Sequence, residues 1–424
     1  MTTIQVPDRA DVLVIGGGIA GISASVEAAE AGCDVVLIEK NAHLGGRVAR
    51  MHLYFPKLCP PGCGLEINFR RLKQSRRIRV FTGTRLESIG GSAGAYTVVL
   101  TTSPRFVTDA CTSCGECLAV CPADRPDDVN YGLSKTKAIF HGGPQSYPAR
   151  YAIDRAACPA DCDACARACK YGAIDLGQQP RTQTLQVASV IAATGWKPYD
   201  ATRIDNLGFG RAANVITNVM LERLAAVDGP TTGRILRPSD GKPPASVAFV
   251  QCAGSRDENH LPYCSAVCCS ASLKHATYVR TSCPDAAVTV FYIDLRTPGR
   301  LEDFLTKVSA DPRVRLVKGK VASAEEDPET GDVVVEVEDV FQGRKSRERF
   351  GLVVLATGLV PQSEDLPEAF PRDEFGFLLN PSNGGALYAA GCARHPEEVS
   401  ASVQDATGAA LRALQTAVRS ARHG

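Results

Sequence analysis

Runs of apolar residues near the start of the chain predict the buried strands of a parallel sheet. The residues from Val12 to Ile15 are all apolar, as expected for a strand covered on both faces. An alanine-rich helical pattern follows from Ile22 to Ala31, and a second apolar run ends in Glu39. This alternation of strand and helix predicts an α/β fold.

The turn between the first strand and the helix carries a glycine pattern typical of dinucleotide binding. Gly16 permits the tight turn, Gly18 lets the backbone approach a pyrophosphate, and Gly21 lets helix and strand pack closely. The helix N-terminus then points free N–H groups at the phosphates. Glu39, at the end of the second strand, is placed to accept a hydrogen bond from a ribose hydroxyl. An acid at this place disfavours a 2′-phosphate.

Three features further along the chain indicate that the dinucleotide is FAD. A glycine pair lies at Gly45 and Gly46, the segments 190–195 and 353–358 both run from apolar residues into Ala-Thr-Gly, and the segment 387–392 ends in Gly-Cys. Each alone is compatible with a plain strand and a turn glycine, but their order is typical of FAD enzymes with two dinucleotide domains. The predicted cofactor-binding residues are Gly16, Gly18, Gly21, Glu39, Gly46, Arg47, Thr194, Gly195, Gly358, Gly391 and Cys392.

Composition narrows the class of protein. A net charge of +1 provides no basic field for nucleic acid or anionic lipid. No apolar run approaches the roughly 20 residues of a membrane span, and the opening residues, Met1 to Val6, lead towards a strand without a signal peptide pattern. Seventeen cysteines in such a chain predict metal ligation in a reducing cytoplasm rather than a disulfide scaffold. Cys33 and Cys283 stand alone and are expected to be buried packing residues.

Eight of the cysteines form two runs of four between the FAD-type segments. The first run, Cys111, Cys114, Cys117 and Cys121, has the C-x2-C-x2-C-x3-C-P spacing of a [4Fe–4S] ferredoxin. In ferredoxins with two runs, the fourth cysteine of each run binds the other cluster. This rule assigns Cys111, Cys114, Cys117 and Cys169 to one cluster, and Cys158, Cys162, Cys165 and Cys121 to the second.

The second run departs from the ferredoxin pattern. Three residues separate Cys158 from Cys162, and Lys170 takes the place of the usual proline. Zinc is the alternative ligand, since it also uses C-x2-C pairs. The order of eight cysteines with Pro122 favours iron–sulfur chemistry.

A third set of cysteines lies where a nicotinamide enzyme has its second glycine fingerprint. A strand from Ala245 to Val250, a helical segment 270–280 and a strand 287–292 keep the βαβ layout, but only Gly254 remains of the expected glycines. A third cluster is one interpretation of this set. The spacing alone does not decide it, because adjacent cysteine ligands are unusual. The third set comprises Cys252, Cys264, Cys268 and Cys269.

Two further cysteines lie in a segment rich in proline and glycine, residues 57–66. This composition predicts a fixed loop without regular structure. Cys59 and Cys63 are open to three interpretations: a redox dithiol near the flavin, ligands of a cluster, or packing residues. The sequence does not separate them.

These segments predict a chain of several parts. Residues 1–104, 181–240 and 351–424 are expected to form the FAD-binding domain, residues 105–180 a ferredoxin-like insertion, and residues 241–350 a degenerate nicotinamide-type domain carrying a cysteine cluster. A closing helix from Pro396 to Arg422 either points its positive end at the flavin pyrimidine or simply packs on the domain.

Several stretches together resemble the HdrA/QmoA family, the flavin and iron–sulfur subunits of heterodisulfide reductase-like complexes. The resemblance is carried by residues 44–50, 55–67, 137–140, 144–154 and 251–269. Within the family, the chain is most similar to the QmoA branch, which belongs to quinone-interacting membrane-bound oxidoreductases. The resemblance implies a thioredoxin-reductase-like flavin core with an inserted 2[4Fe–4S] domain. It also implies that the third set ligates a [4Fe–4S] cluster close to the flavin, and that the Gly-Cys-Ala at Cys392 is shared with the family.

The function implied is that of an oxidoreductase subunit in a cytoplasmic complex. FAD is expected as the redox centre with no catalytic side chain, and three [4Fe–4S] clusters carry single electrons. The implied partners are adenylylsulfate reductase, a quinone-reactive membrane subunit and a second flavin and iron–sulfur subunit. The alternatives are a subunit of a soluble sulfur-oxidising or heterodisulfide-reductase complex, a self-contained NAD(P)H-dependent disulfide reductase, and a zinc scaffold. Longer family members have additional cluster domains, so electron bifurcation is not carried over.

Overall fold

The computed structural model describes residues 6–55, 57–143, 145–341, 343–382 and 384–423. The opening residues from Met1 to Gln5 lie outside this range, as do Pro56 and Pro144 within the stretches that carry the family resemblance. The chain forms two compact units: the first comprises Met1–Trp196 and Pro361–Gly424, and the second comprises Lys197–Val360.

The regular elements follow the predicted alternation of strand and helix. In chain order, the strands are β1 (Arg9–Ile15), β2 (Val35–Glu39), β3 (Ile78–Thr82), β4 (Thr84–Ser92), β5 (Ala95–Thr102), β6 (Asp124–Pro126), β7 (Lys135–Lys137), β8 (Ile139–Phe140), β9 (Ala152–Ile153), β10 (Arg181–Ala192), β11 (Trp196–Pro198), β12 (Val215–Thr217), β13 (Ser246–Ala253), β14 (Ala287–Tyr292), β15 (Val314–Glu326), β16 (Val333–Asp339), β17 (Arg344–Phe350), β18 (Leu352–Thr357), β19 (Leu359–Pro361) and β20 (Leu387–Ala389). The helices are α1 (Ile19–Glu30), α2 (Gly62–Gln74), α3 (Glu116–Ala119), α4 (Ala164–Ala168), α5 (Asn218–Ala225), α6 (Cys268–Ser282), α7 (Leu301–Ser309) and α8 (Val399–His423).

The first unit is built on a seven-stranded sheet in the order β3-β2-β1-β10-β5-β4, with β20 also paired to β10. β10 pairs with β1 along one edge and is long enough to pair with two strands along the other, where its first half pairs antiparallel with β5 and its last residues pair parallel with β20. Val12, Leu13 and Val14 of β1 are fully buried. The predicted two-faced burial of this strand is confirmed, because successive side chains of a strand point to opposite faces of the sheet and all three are buried.

The cysteine-rich insertion has a small core of its own within the first unit. Two short hairpins, β6 with β7 and β8 with β9, hold the chain between the two cysteine runs. Val107, Ile139, Tyr151 and Ile153 are buried together with Cys117 and other cysteines of the runs. The short helices α3 and α4 each lie within a cysteine run and pack against one another.

The second unit contains another seven-stranded sheet, in the order β12-β18-β13-β14-β15-β16-β17. Its first five strands are parallel, and β15, β16 and β17 form an antiparallel meander. The predicted strand–helix–strand around the third cysteine set is present as β13, α6 and β14. Among the described residues, no helix is both long and apolar enough to span a bilayer.

Two sequence expectations differ from the structure. The loop predicted for residues 57–66 is wrong beyond Pro61, because α2 begins at Gly62 and the preceding proline is tolerated before a first helical turn. The two-unit division also places residues 197–240 and 351–360 in the second unit, where β12 and β18 pair with one another and α5 packs on both.

Candidate functional site

The glycine turn after β1 has the close contacts that dinucleotide binding requires. A Cβ at Gly21 would lie 1.8 Å from the carbonyl oxygen of Gly16, so helix and turn meet backbone to backbone. Gly16 has a φ of +106°, and a Cβ there would lie 2.3 Å from the Ala193 oxygen. Gly18 differs, since a Cβ there would meet nothing nearer than the Gly46 Cα at 3.9 Å. Gly18 therefore borders open space at the N-terminus of α1.

Other predicted cofactor residues lie around the same helix end. Gly46 has a φ of +56° and faces the backbone of Gly18. Thr194 adjoins Gly16, and its hydroxyl is buried without a hydrogen-bond partner in the described structure. Gly391 has a φ of +70° and packs on Ala20 in the first turn of α1. Free helix N–H groups, close backbones and an unsatisfied hydroxyl fit a bound dinucleotide.

Glu39 holds the glycine turn in place. One carboxylate oxygen accepts the Gly17 N–H at 2.7 Å, and the other accepts the Asn41 backbone N–H at 2.8 Å and its side-chain amide at 2.6 Å. The side chain is buried at the end of β2. The carboxylate thus fixes the turn as well as lying where a ribose is predicted, and the ribose contact stays a prediction.

Arg47 is half-buried, and no carboxylate is among its described partners. Its guanidinium donates to the Trp196 carbonyl oxygen and, at 2.8 Å, to the Tyr131 hydroxyl. It also lies over the Trp196 ring, 4.8 Å from the ring centroid. Burial lowers the pKa of this guanidinium. A desolvated cation beside Gly46 favours an anionic group in the neighbouring space.

The segment before α8 places a buried acid beside the last predicted flavin-binding residues. The Cys392 thiol donates to the Glu397 carbonyl oxygen at 3.4 Å, and burial raises its pKa to about 11. The Glu397 side chain is 6% exposed, and its Oε1 has no hydrogen-bond partner in the described structure. Burial raises the pKa of Glu397 to about 7, and Asp405 adds to this while Ser402 and Arg394 oppose it.

The raised pKa of Glu397 predicts a pH-dependent stability. In the unfolded chain this carboxyl ionises near its ordinary pKa of 4.5, so the folded state binds the proton more tightly. The stabilising contribution is present below pH 4.5 and is lost as the pH rises to about 7. We therefore expect Glu397→Gln to gain thermal stability relative to the parent chain over this range, measured as the difference in Tm. A difference that stays constant from pH 4.5 to 7 would contradict this.

The two inserted cysteine runs meet around one cavity. The cavity, about 340 Å³ including the part open to solvent, is lined by Cys111, Cys114, Cys117 and Cys169. These are the four cysteines assigned to one cluster by the ferredoxin rule, three from the first run and the last from the second. Tyr151 forms part of the wall. The ligand set itself stays a prediction, and the cavity is the observation that supports it.

Three of the remaining cysteines of the two runs are close enough to influence one another's ionisation. Burial raises the pKa of the Cys165 thiol, and the neighbouring thiols of Cys158 and Cys121 raise it further. These three belong to the second predicted set. The fourth member, Cys162, is half-buried, and its carbonyl oxygen accepts a hydrogen bond from Arg155 at 2.8 Å.

Backbone N–H groups point at cysteine sulfurs in all three cysteine regions. The Ser113 N–H lies 3.4 Å from the Cys111 sulfur, and the Ala266 N–H lies 3.4 Å from the Cys264 sulfur. The donor is in both cases two residues beyond the cysteine and has a positive φ, +58° at each. The Ala173 N–H reaches the Cys169 sulfur at 3.3 Å. Such donors stabilise a thiolate and tune the potential of a bound cluster.

The thiols of the first set are close enough to disfavour one another's ionisation. Burial raises the pKa of Cys117 to about 11, with Cys111 and Cys114 contributing. Clustered thiolates of this kind need a positive group among them. Iron supplies that charge, so the donor chemistry of the set fits an iron–sulfur cluster.

Arg105 joins the loop after β2 to the cysteine-rich insertion, a role that the sequence does not reveal. Its guanidinium donates to the carbonyl oxygens of Tyr151 and Arg150, both at 2.9 Å, and lies 2.8 Å from the His43 Nε2. Burial lowers the pKa of Arg105 to about 9. The signal in the sequence is only a single arginine at the start of the insertion.

The third cysteine set converges at the start of α6 in the second unit. Burial raises the pKa of Cys268, and the neighbouring Cys252, Cys269 and Cys264 raise it further. The Cys268 thiol also lies 3.8 Å from the Thr357 carbonyl oxygen. All four cysteines that were singled out from the sequence, including the adjacent pair, are therefore electrostatic neighbours, although no three ligand side chains among the described residues are close enough to hold a single metal ion.

An arginine and a serine lie in the loop that carries the third set. Burial raises the pKa of Cys252, and the positive charge of Arg256, which pairs with Asp294 at 2.9 Å, opposes this increase. A Cβ at Gly358 would lie 2.5 Å from the Ser255 hydroxyl. Gly358, predicted to bind the cofactor, is thus placed beside the loop of the third set.

The nicotinamide-type turn is closed rather than open. Gly254 is the one glycine that remains of the expected fingerprint, and a Cβ there would lie 2.7 Å from the Tyr199 ring and 3.2 Å from Ile204. A phosphate-binding glycine faces open space at a helix N-terminus, as Gly18 does. The space beside Gly254 is instead filled by side chains.

Comparisons with known proteins agree with these cofactor predictions. Residues 11–57 match the family described as FAD dependent oxidoreductase. The HdrA component of the H2:CoB–CoM heterodisulfide,ferredoxin reductase of Methanothermobacter marburgensis is 35% identical over 97% of this chain. An iron–sulfur HdrA component of the CoB–CoM heterodisulfide reductase of Methanopyrus kandleri is 36% identical over 97% of the chain. This chain is a homologue of HdrA. It spans 64% of the length of each of these two relatives.

Solved structures define the fold class of this HdrA homologue. Thioredoxin reductase of Lactococcus lactis matches with a TM-score of 0.55 at 14% identity, covering 97% of this chain and 99% of that one. Thioredoxin reductase of T. acidophilum matches with a TM-score of 0.52 at 15% identity, covering 97% and 100%. The predicted thioredoxin-reductase-like α/β fold is confirmed.

The comparisons confirm the resemblance to HdrA that the sequence predicts, and the similarity to the QmoA branch stays a prediction. The match to the FAD dependent oxidoreductase family agrees with the predicted FAD cofactor, and the iron–sulfur prediction agrees with the name of the Methanopyrus kandleri relative and with the 17 cysteines of this chain. The individual ligands and the number of clusters stay predictions.

Proposed function

We propose that this chain is the FAD and iron–sulfur electron-transfer subunit of a complex of the quinone-interacting membrane-bound oxidoreductase type. In this role it passes electrons between a membrane quinone module and adenylylsulfate reductase, and it lies in the cytoplasm, at the membrane only through its partners. FAD exchanges electrons in pairs and iron–sulfur clusters exchange them singly. The residues of the chain bind and tune these groups.

The cavity of the insertion is the observation that carries the proposal. It brings three cysteines of the first run together with Cys169 of the second, the arrangement that two-cluster ferredoxins use. An electron relay needs such a module, whereas a self-contained reductase does not. The third set, gathered at the start of α6, supports a further cluster in the second unit.

A component of a soluble heterodisulfide-reductase or sulfur-oxidising complex is the second candidate. The relatives at 35% and 36% identity carry heterodisulfide reductase names, which favours this candidate. The two candidates use the same cofactors and differ in their partners. Adenylylsulfate reductase and a quinone-reactive membrane protein belong to the first, and a soluble disulfide-reducing protein belongs to the second.

Anaerobic purification from the native source tests the proposal. We expect about 12 iron atoms per FAD, from three clusters of four, and co-purification of a membrane quinone-reactive chain. Cys169→Ser is expected to lower the iron content by about four atoms per FAD, because Cys169 completes the cavity set. Cys33→Ser is the matched control, since Cys33 is buried apart from the cysteine runs and its replacement leaves iron unchanged.

Two results would overturn parts of the proposal. About four iron atoms per FAD would mean that the inserted runs do not both hold clusters. Rapid anaerobic bleaching of the flavin by NADH or NADPH would instead support a self-contained reductase, against the closed turn at Gly254.

A further inference from the structure

Two cysteines outside the three sets lie together where α2 begins. Cys59 is half-buried and Cys63 is exposed in the first turn of the helix. The Cys63 N–H donates to the Pro60 carbonyl oxygen at 3.0 Å, which closes a tight turn between the two cysteines. The Tyr54 N–H donates to the Cys59 carbonyl oxygen, also at 3.0 Å, and fixes the other end of the turn.

The two thiols are close enough to influence one another's ionisation. Desolvation raises the pKa of the Cys63 thiol, and the neighbouring Cys59 thiol and the charge of Glu66 raise it further. The Tyr54 phenol lies against the same pair, since burial and both thiols raise its pKa. A Cβ at Gly64 would lie 2.6 Å from the Tyr54 hydroxyl, so the tyrosine closes one side of the pair.

Such a turn is compatible with a disulfide. Bridged cysteines have Cα atoms about 4.4–6.8 Å apart. The turn from Pro60 to Cys63 brings the first turn of α2 back towards Cys59, which forms a bridge with Tyr54 just before the helix. Because Cys59 lies outside α2, the helix does not fix its distance from Cys63.

We propose that Cys59 and Cys63 form a two-electron dithiol–disulfide centre that reacts with disulfides reaching the protein surface. The exposed Cys63 loses its proton and attacks one sulfur of the incoming disulfide, which releases the first thiol and leaves a mixed disulfide. Cys59 then loses its proton and displaces the second thiol, so the protein pair is oxidised by two electrons and the incoming disulfide is reduced to two thiols. A dithiol of the same chemical class returns the pair to its reduced form.

The position of the two cysteines determines their order of reaction. Cys63 is exposed and accessible to a bulky disulfide, whereas Cys59 is half-buried in the turn and reacts within the molecule. The raised pKa of Cys63 keeps most of it as thiol near neutral pH, so exchange accelerates as the pH rises. The pair also differs from an iron–sulfur site in the number of its cysteines, because a cluster needs four ligands.

Peptide mapping gives a direct test. Cleavage after Lys57 and after Arg70 releases residues 58–70, a peptide that contains Cys59 and Cys63 and no other cysteine. The anaerobic holoprotein is incubated with oxidised glutathione, then remaining thiols are alkylated and the peptide is weighed. We expect the parent chain to yield an internal disulfide, two hydrogens lighter than the dithiol, with two glutathione thiols released per chain.

Two variants separate the possible outcomes. Cys59→Ser is expected to stop at one glutathione on Cys63, because the second displacement is lost. Cys63→Ser is expected to react about tenfold more slowly or slower still, because only the half-buried Cys59 remains. Two separate glutathione adducts on the parent peptide, or free thiols after prolonged incubation, would refute the centre. A loss of about four iron atoms per FAD in either variant would also refute it, since the cysteines would then be cluster ligands.

Discussion

We expect Gly21→Val to lower both the folding stability and the FAD affinity of the chain, whereas Gly18→Ala weakens FAD binding in a chain that still folds. At Gly21 a Cβ would overlap the Gly16 oxygen at 1.8 Å, and both atoms belong to backbone that neighbouring elements hold. Forcing such a contact costs about 1–3 kcal/mol or more, which corresponds to a fall in FAD affinity of about tenfold to a hundredfold or beyond.

Gly18 separates the cofactor effect from the folding effect. A Cβ at position 18 would lie no closer than 3.9 Å to the Gly46 Cα, so the protein itself tolerates a methyl group there. The methyl group would instead occupy the space through which a pyrophosphate approaches the helix N-terminus. The measurements are FAD content by absorbance and Tm of the cofactor-free chain.

Gly408→Ala is the matched control for both variants. Gly408 lies in α8, and a Cβ there would meet nothing within 4 Å. Alanine in a helix interior is more favourable than glycine by about 0.5–1 kcal/mol, so this variant is expected to keep FAD and to gain slightly in Tm. Stoichiometric FAD in Gly18→Ala, or normal folding and FAD in Gly21→Val, would contradict the placement of the cofactor.

The second large effect is expected from Glu222, in a buried charged group of the second unit. Its carboxylate pairs with the Lys274 ammonium and lies 2.8 Å from the His275 Nε2, and all three side chains are at most 9% exposed. Glu222→Ala leaves the Lys274 charge without its acid. Losing one partner of a buried pair costs about 3–5 kcal/mol, and we expect a correspondingly large fall in Tm at neutral pH.

A double variant provides the control for this prediction. Glu222→Leu with Lys274→Met removes both charges and keeps the volume, so it is expected to recover most of the stability that Glu222→Ala loses. Equal Tm values for the single and double variants would show that the packing, rather than the stranded charge, determines the loss.

The same group predicts loss of stability on acidification. Burial alone would raise the pKa of Glu222, but the Lys274 charge and the hydrogen bonds from Lys274 and His275 outweigh burial and lower this pKa. Burial lowers the pKa of His275. Both groups bind protons less tightly in the folded state than in the unfolded one. The stabilising contribution of His275 is therefore present above its ordinary pKa of 6.5, and that of Glu222 above its ordinary pKa of 4.5. Each contribution is lost as the pH falls below that value.

Local sequence determined the chemistry of the first unit. The tight turn at Gly16 and the close approach at Gly21 depend on the absence of a side chain, a property visible in the sequence. Spacing in the first cysteine run likewise predicts a ferredoxin-like module, because neighbouring ligands in the chain reach one cluster. The departures around Cys158 left the second run open from spacing alone.

Tertiary structure decided what depends on contacts between distant segments. Cys169 reaches the cavity of the first run from far beyond Cys111 in the chain, and only the folded insertion brings them to one surface. The unit boundaries, the unpartnered oxygen of Glu397 and the burial of Glu222 have no local signature, because burial is a property of what packs over a residue. The sequence does not predict the start of α2 at Gly62, because the prolines before it are common both in loops and in first helical turns. The sequence thus determined which groups are present, and the packing of distant segments decided which of them meet and how strongly each holds its proton.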